Sequence, residues 1–199
     1  MLRSSSKVRW GSSVVFVGSV LFSGCQEGPI QLTVGVQELV SPASENSGEP
    51  FLSTSGDQVL MSWLEAHGEN SHQLKFSTLE ADGWSQGKVI AEGADFFVNW
   101  ADFPSIRHGP NGTLWAHWLQ SGTQGGYDYG VRIVQSSDGG VNWSKPWTPH
   151  DDQTPTEHGF VSSVSLGQTM GFIWLDGRQF AAAEQDESVA REMTLRYRE

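Results

Sequence analysis

Short apolar runs recur along this chain at a near-constant step. Val59-Leu60-Met61-Ser62, Leu114-Trp115-Ala116-His117 and Met170-Gly171-Phe172-Ile173 lead into Trp63-Leu64-Glu65, Trp118-Leu119-Gln120 and Trp174-Leu175-Asp176. The tryptophans stand 55 residues apart (63 to 118) and then 56 (118 to 174). Each run follows a turn signal, at Gly56-Asp57, Asn111-Gly112 or Gly167-Gln168, as the second strand of a hairpin does. A shorter apolar segment precedes each turn: Phe51-Leu52, Ser105-Ile106 and Phe160 to Val164. Downstream, Gln73 to Thr78 and Val131 to Ser137 alternate, and fourth strands are expected at Lys88 to Ala91 and Lys145 to Thr148. A repeat of this length built from four short strands predicts an all-β fold, a β-propeller of four-stranded antiparallel blades. The units run about 50–101, 102–157 and 158–199, the third breaking off after Leu195-Arg196-Tyr197. No helical periodicity stands out, and Phe180 to Arg191 reads as a polar insertion between the second and third strands of the last unit.

One turn carries a specific motif, Ser136-Ser137-Asp138-Gly139-Gly140-Val141-Asn142-Trp143. Its chemistry explains its spacing: an Asp side chain accepts from nearby backbone N–H groups, Gly supplies positive φ, and Trp buries as a peg. A degenerate copy, Ser77 to Trp84, lies one unit earlier. The motif resembles the Asp box of the sialidase, or BNR-repeat, superfamily, with Ser136, Asp138, Gly140 and Trp143 in the structural positions. The resemblance spans about residues 50–199 and implies a six-bladed ring, of which two and a half to three blades are present. The remaining blades, or a second copy, are then needed to close the ring and protect its strand edges. This reading makes the chain an N-terminal fragment, inactive alone; an open half-ring that dimerises is the alternative.

Composition agrees with a turn-rich all-β chain: 23 Gly and 9 Trp, with only 18% charged residues. The formal net charge of −11 argues against a nucleic-acid partner. The basic residues Arg3, Lys7 and Arg9, the apolar stretch Val14 to Phe22, and Ser23-Gly24-Cys25 form an export signal over 1–24, too short to span a membrane as a helix. Leu21-Phe22-Ser23-Gly24-Cys25 resembles a bacterial lipobox, which implies lipidation of Cys25, the sole cysteine. Gln26 after it favours the outer membrane as the site of anchoring. Residues 25–49 form a tether in which Ile30 to Val36 alternates like a strand, either closing an absent blade or edging the first unit.

In sialidases the face formed by the strand 2–3 loops and the blade-to-blade connections binds the sugar. Transferred to this repeat, that face carries Asn99, Trp100, Asp102, Tyr127, Asp128, Tyr129, His150, Asp151, Asp152, Glu157, His158, Asp176 and Arg178, and excludes Asp138. Asp102, beside apolar neighbours at the start of an inner strand, suits an acid/base. Glu157 occupies the corresponding place one unit later and serves to orient a nucleophile or bind a hydroxyl. Arg178 and Arg107 are the candidates for a substrate carboxylate, which a guanidinium meets bidentately, and Trp100 is the candidate for stacking on a sugar. The Phe/Tyr-Arg-Ile-Pro motif and the three-arginine clamp of sialidases are absent. Tyr127 and Tyr129 read as loop aromatics and His117 as a core residue. The His150-Asp151-Asp152 and Glu157-His158 groups read as solvated loop polarity, and neither metal nor cofactor is expected. The implied function is exo-α-sialidase-type glycoside hydrolysis, or recognition of a glycan or glycoconjugate, by an envelope lipoprotein. A non-catalytic binding or scaffold propeller is the alternative.

Overall fold

Each of the three repeat units folds as its own antiparallel sheet. The computed structural model describes residues 35–199. The export signal, Cys25 and most of the alternating Ile30 to Val36 segment lie outside the described residues, and Gly35 and Val36 are not in a strand. The first sheet comprises β1 (Ser47–Ser55), β2 (Gln58–His67), β3 (Ser71–Glu80), the short β4 (Gly83–Trp84) and β5 (Lys88–Gly93). Its order is β1-β2-β3, with β4 and β5 both pairing β3. β6 (Ser105–His108), β7 (Leu114–Ser121) and β8 (Tyr129–Ser136) form the second sheet, and β9 (His158–Leu166), β10 (Thr169–Asp176) and β11 (Thr194–Arg198) the third.

Two expectations are corrected. Lys145 to Thr148 is not a strand: Ile133 and Trp147 exchange backbone hydrogen bonds at 2.8 and 3.0 Å as an isolated bridge. The flanking Pro146 and Pro149 lack the N–H that a longer ladder would need. The polar insertion after β10 contains a helix, α1 (Arg178–Gln185). Its Ala181-Ala182-Ala183-Glu184-Gln185 run is made of strong helix formers, but two turns are too few to imprint a periodicity on the sequence.

Side-chain alternation stacks the sheets. Leu60, Leu64, Leu74, Phe76 and Ile90 of the first sheet meet Ile106, Leu114, Ala116, Trp118 and Val134 of the second. On its other side the second sheet sends Leu119, Tyr129, Val131 and Ile133 against Met170 and Phe172 of the third. The middle sheet is therefore buried on both faces, and each large apolar side chain so covered contributes about 1.5–3 kcal/mol. The far side of the third sheet is different. Val164, Ile173, Leu195 and Tyr197 share that side by register and are exposed.

The Trp-Leu-x repeat has a structural cause. Trp63 Nε1 donates to Glu65 Oε2 at 3.1 Å, and Trp174 Nε1 donates to Asp176 Oδ2 at 2.9 Å. Directly opposite the three tryptophans on the next strand stand Lys75, Arg132 and Arg196. Lys75 pairs with Glu65 at 3.0 Å, Arg132 donates to Gln120, and Arg196 approaches Asp176 at 3.7 Å. The third residue of each triplet thus faces a cation across the strand that is itself part of the repeat, accepting from it in the first two units and at ion-pair distance in the third.

The β8 turn forms a closed brace. Asp138 Oδ1 accepts from the backbone N–H groups of Val141 and Asn142 at 3.1 and 2.9 Å and from Ser136 Oγ at 2.8 Å. The Asn142 backbone N–H, its side chain and Ser136 together hold the Asp138 carboxyl down at about 2. Gly140 is left-handed, with φ +81°, and a Cβ there would sit 2.4 Å from Phe76 Cζ. Trp143 meets the same Phe76 edge-on, at 6.0 Å between ring centroids, pegging the turn to the first sheet.

Candidate functional site

Three of the residues assigned to the functional face converge at one phenol oxygen. Asp102 lies in the loop entering β6, Tyr129 opens β8, and Glu157 immediately precedes β9. Tyr129 Oη is 2.9 Å from Asp102 Oδ2 and 2.7 Å from Glu157 Oε1. A parallel bridge between Tyr129 and Glu157 fixes the backbones. Tyr129 is not the loop aromatic that its surroundings in the sequence suggest. It is buried and stacks on Phe97 at 3.9 Å between centroids. Tyr127, by contrast, is exposed in the loop as expected.

The single phenol proton is shared between the two carboxyls, the hydroxyl donating toward Asp102 and Glu157. Asp102 is 3% exposed, and that desolvation, with the nearby Glu157 charge, raises its pKa despite the donors that oppose the shift. Those donors are the Phe160 N–H, 2.9 Å from Oδ1, and the Tyr129 hydroxyl. Tyr129 is pushed far up by burial and by both carboxyls, so it keeps its proton and acts as a donor. Asn99 Oδ1 accepts from the Ala101 and Asp102 N–H groups at 2.8 and 3.3 Å and shapes the loop. The chain opposite is strained to fit: Phe160 has φ +50°, rare for a bulky side chain. A Cβ on Gly159 would lie 2.0 Å from Asp102 Oδ2, so only glycine allows this approach.

Asp102 and Arg107 line one cleft of about 240 Å³ with Phe51, Phe103, His117 and Phe160. The Arg107 guanidinium lies over the Phe51 ring, 5.0 Å from its centroid, and forms no ion pair among the described residues. Its Nε is buried without a partner. His117, buried as expected, takes Ser105 Oγ at 3.0 Å on Nδ1. Burial and the Arg107 charge push it down to about 4, which keeps it neutral.

The remaining candidates lie elsewhere. Glu157 opens onto a separate cleft of about 360 Å³, lined also by Tyr127, Asp128, Phe180 and Arg191. Trp100 is 85% exposed and does not line the Asp102 cleft. Arg178 is committed internally: its Nε and Nη2 meet Asp176 Oδ1 and Oδ2 at 2.7 and 2.8 Å. Nη1 meets Asp151 at 2.8 Å and Nη2 also meets Asp152 at 2.9 Å. A guanidinium with three carboxylates around it has no free edge for a substrate carboxylate, which corrects its assignment as a substrate clamp.

The solvated-loop reading of His150, Asp152 and His158 is also corrected. His158 is buried, and its ring stacks on His150 at 4.1 Å between centroids. One donor atom from each of the three residues lies within 4.8 Å of the others. They line a cleft of about 350 Å³ behind Tyr129.

No family model and no curated protein matches the chain. Among solved structures, the chain is similar to the crystal structure of the α-L-arabinofuranosidase PaAbf62A from Podospora anserina in complex with cellotriose. The two share 14% identity at a TM-score of 0.42, over 76% of this chain and 52% of that one. The chain therefore spans about half the length of that protein.

Proposed function

We propose that this chain belongs to a sialidase-like, Asp-box β-propeller that hydrolyses acidic glycosides. In this reading the three sheets are successive blades, and the apolar far side of the third receives further blades or a second copy. The Ser136–Asp138–Gly140–Trp143 brace supports it as the structural counterpart of the Asp box. The observation that carries the function is the cleft shared by Asp102 and Arg107. A buried carboxyl with a raised pKa suits the general acid that a leaving glycosidic oxygen needs. An unpaired guanidinium beside it suits the carboxylate of a sialic acid or related acidic sugar, and Phe51, Phe103 and Phe160 offer apolar faces to a sugar ring. Tyr129 acts as a positioning residue, holding Asp102 through its hydroxyl, and Glu157 anchors that phenol from the other side.

The test is turnover of a fluorogenic sialoside, with neutral glycosides as controls, by the exported full-length protein. Asp102→Asn is expected to lower kcat by about 100-fold or more. Arg107→Met is expected to raise KM for the acidic substrate with little effect on a neutral one. Unchanged turnover in Asp102→Asn would sink the assignment.

The second reading, a glycan-binding propeller without turnover, is favoured by the internal neutralisation of Arg178 and the depth of Tyr129. It predicts that sialylated glycans bind, weakly in Arg107→Met, while no glycoside is cleaved. For both readings we propose export and lipid anchoring at Cys25 in the bacterial outer membrane. Loss of metabolic acyl labelling in Cys25→Ala would support that anchoring, and retained labelling would refute it.

A further inference from the structure

The geometry points to a divalent transition-metal site, of the zinc type, formed by His150, Asp152 and His158 behind Tyr129. His158 fixes the argument. Its Nδ1 lies 2.9 Å from the Thr156 carbonyl oxygen, which only accepts, so Nδ1 carries the hydrogen. That leaves Nε2 facing both Asp152 carboxylate oxygens at 3.1 Å. A lone pair against a carboxylate is repulsive unless a cation or a second proton lies between them. Orientation of a ring by an Nδ1–H to a backbone carbonyl, with Nε2 free, is the arrangement metal-ligating histidines use.

His150 is the independent observation. Both of its ring nitrogens are buried and neither has a hydrogen-bond partner, a state that costs stability unless something else satisfies them. Its side chain is 11% exposed. It is held by stacking on His158, and its Nδ1 lies 3.7 Å from Asp152 Oδ1, a spacing that an ion with Zn–N and Zn–O bonds of about 2.0–2.2 Å can bridge. The surrounding charge suits a cation. Asp176 Oδ1 is 3.8 Å from His158 Nε2, and Asp128 lines the same cleft, against Arg178 on Asp152 and Arg132 at the rim. Two imidazoles and one carboxylate are the donor set of open zinc sites, with the fourth position facing the 350 Å³ cleft. Such an ion would pin Asp152 to His158, the segment that ends beside Glu157 and Gly159.

The test is titration of the untagged full-length protein, stripped with chelator, with Zn²⁺ by calorimetry and with Co²⁺ by visible absorption. One Zn²⁺ per chain and d–d bands from Co²⁺ are expected. His150→Phe keeps the ring stack and removes no protein hydrogen bond, so it should fold as the parent by circular dichroism yet bind at least about tenfold more weakly. Asp152→Asn should weaken binding as well. No Zn²⁺ uptake by the parent, or equal uptake by a folded His150→Phe variant, would overturn the site and assign the gap between His158 and Asp152 to a proton.

Discussion

The Tyr129 hydroxyl lies 2.9 Å from Asp102 Oδ2, tying the third strand of the second sheet to the loop that enters its first. Tyr129→Phe removes this donor and strands both carboxyls. We expect a loss of about 1.5–3 kcal/mol in guanidinium denaturation, the range for hydrogen bonds to charged groups. A change within a few tenths of a kcal/mol would mean that the phenol is not shared.

Asp102 should leave a signature in the pH dependence of stability. Its folded-state pKa is raised, so the native chain binds the proton more tightly than the unfolded one. The stability that this supplies is present below the ordinary carboxyl value of 3.8 and is lost as pH rises through the raised one. Subtracting the Asp102→Asn curve from the parent curve should isolate a downward slope across that window. A flat difference curve would show that burial does not perturb the group.

Asp176 behaves in the opposite sense. Burial pushes its carboxyl up, but hydrogen bonds from Arg178 and Trp174 outweigh that and hold it at about 2. Its contribution is present above the ordinary value of 3.8 and is lost as pH falls toward 2. Arg178→Met removes the bidentate partner of a buried carboxylate, leaving it Trp174 Nε1 and the residue-178 backbone N–H, and should cost about 3 kcal/mol at neutral pH. Stability within 1 kcal/mol of the parent, by thermal or chemical melting, would refute that role.

Gly159→Ala tests the site without altering a charge. The added methyl would lie 2.0 Å from Asp102 Oδ2 and 2.8 Å from the Tyr129 ring, so the carboxyl must move. We expect destabilisation of about 1–3 kcal/mol and loss of whatever turnover Asp102 supports. Parent-like activity would show that the approach is not tight.

Gly140→Ala probes the turn brace. The side chain would have to adopt φ +81° and meet Phe76 at 2.4 Å, a combined cost of about 2–4 kcal/mol. Ser136→Ala, which removes the bonds from Gly140 N–H at 2.9 Å and to Asp138 Oδ1 at 2.8 Å, should cost less, about 1–2 kcal/mol. An inverted ranking in melting experiments would show that the brace, not the close approach, dominates.

The sheets were legible because their signals are local. Turn residues, alternation and a repeated Trp-Leu-x triplet recur within each unit, and the observed hairpins β1–β2, β6–β7 and β9–β10 fall where those signals lie. The short helix Arg178–Gln185 was not legible, since propensity over two turns gives no period. The fourth strand expected at Lys145 to Thr148 shrinks to a bridge at Trp147, because Pro146 and Pro149 lack the N–H groups that a longer ladder needs.

The candidate site divides along the same line. Sequence alone determined the three units and the turn brace around Asp138, because each follows from residue type at a local spacing; Asp102 and Glu157 became candidates through the face that the sialidase resemblance implies. Only the tertiary structure decided their partners. Tyr129 reaches both carboxyls, Arg107 stays unpaired beside Asp102 while Arg178 is consumed by Asp176, and His150 stacks on His158. Those relations join residues on different elements, and whether a charge is free, neutralised or desolvated depends on which side chains packing brings within about 4 Å of it.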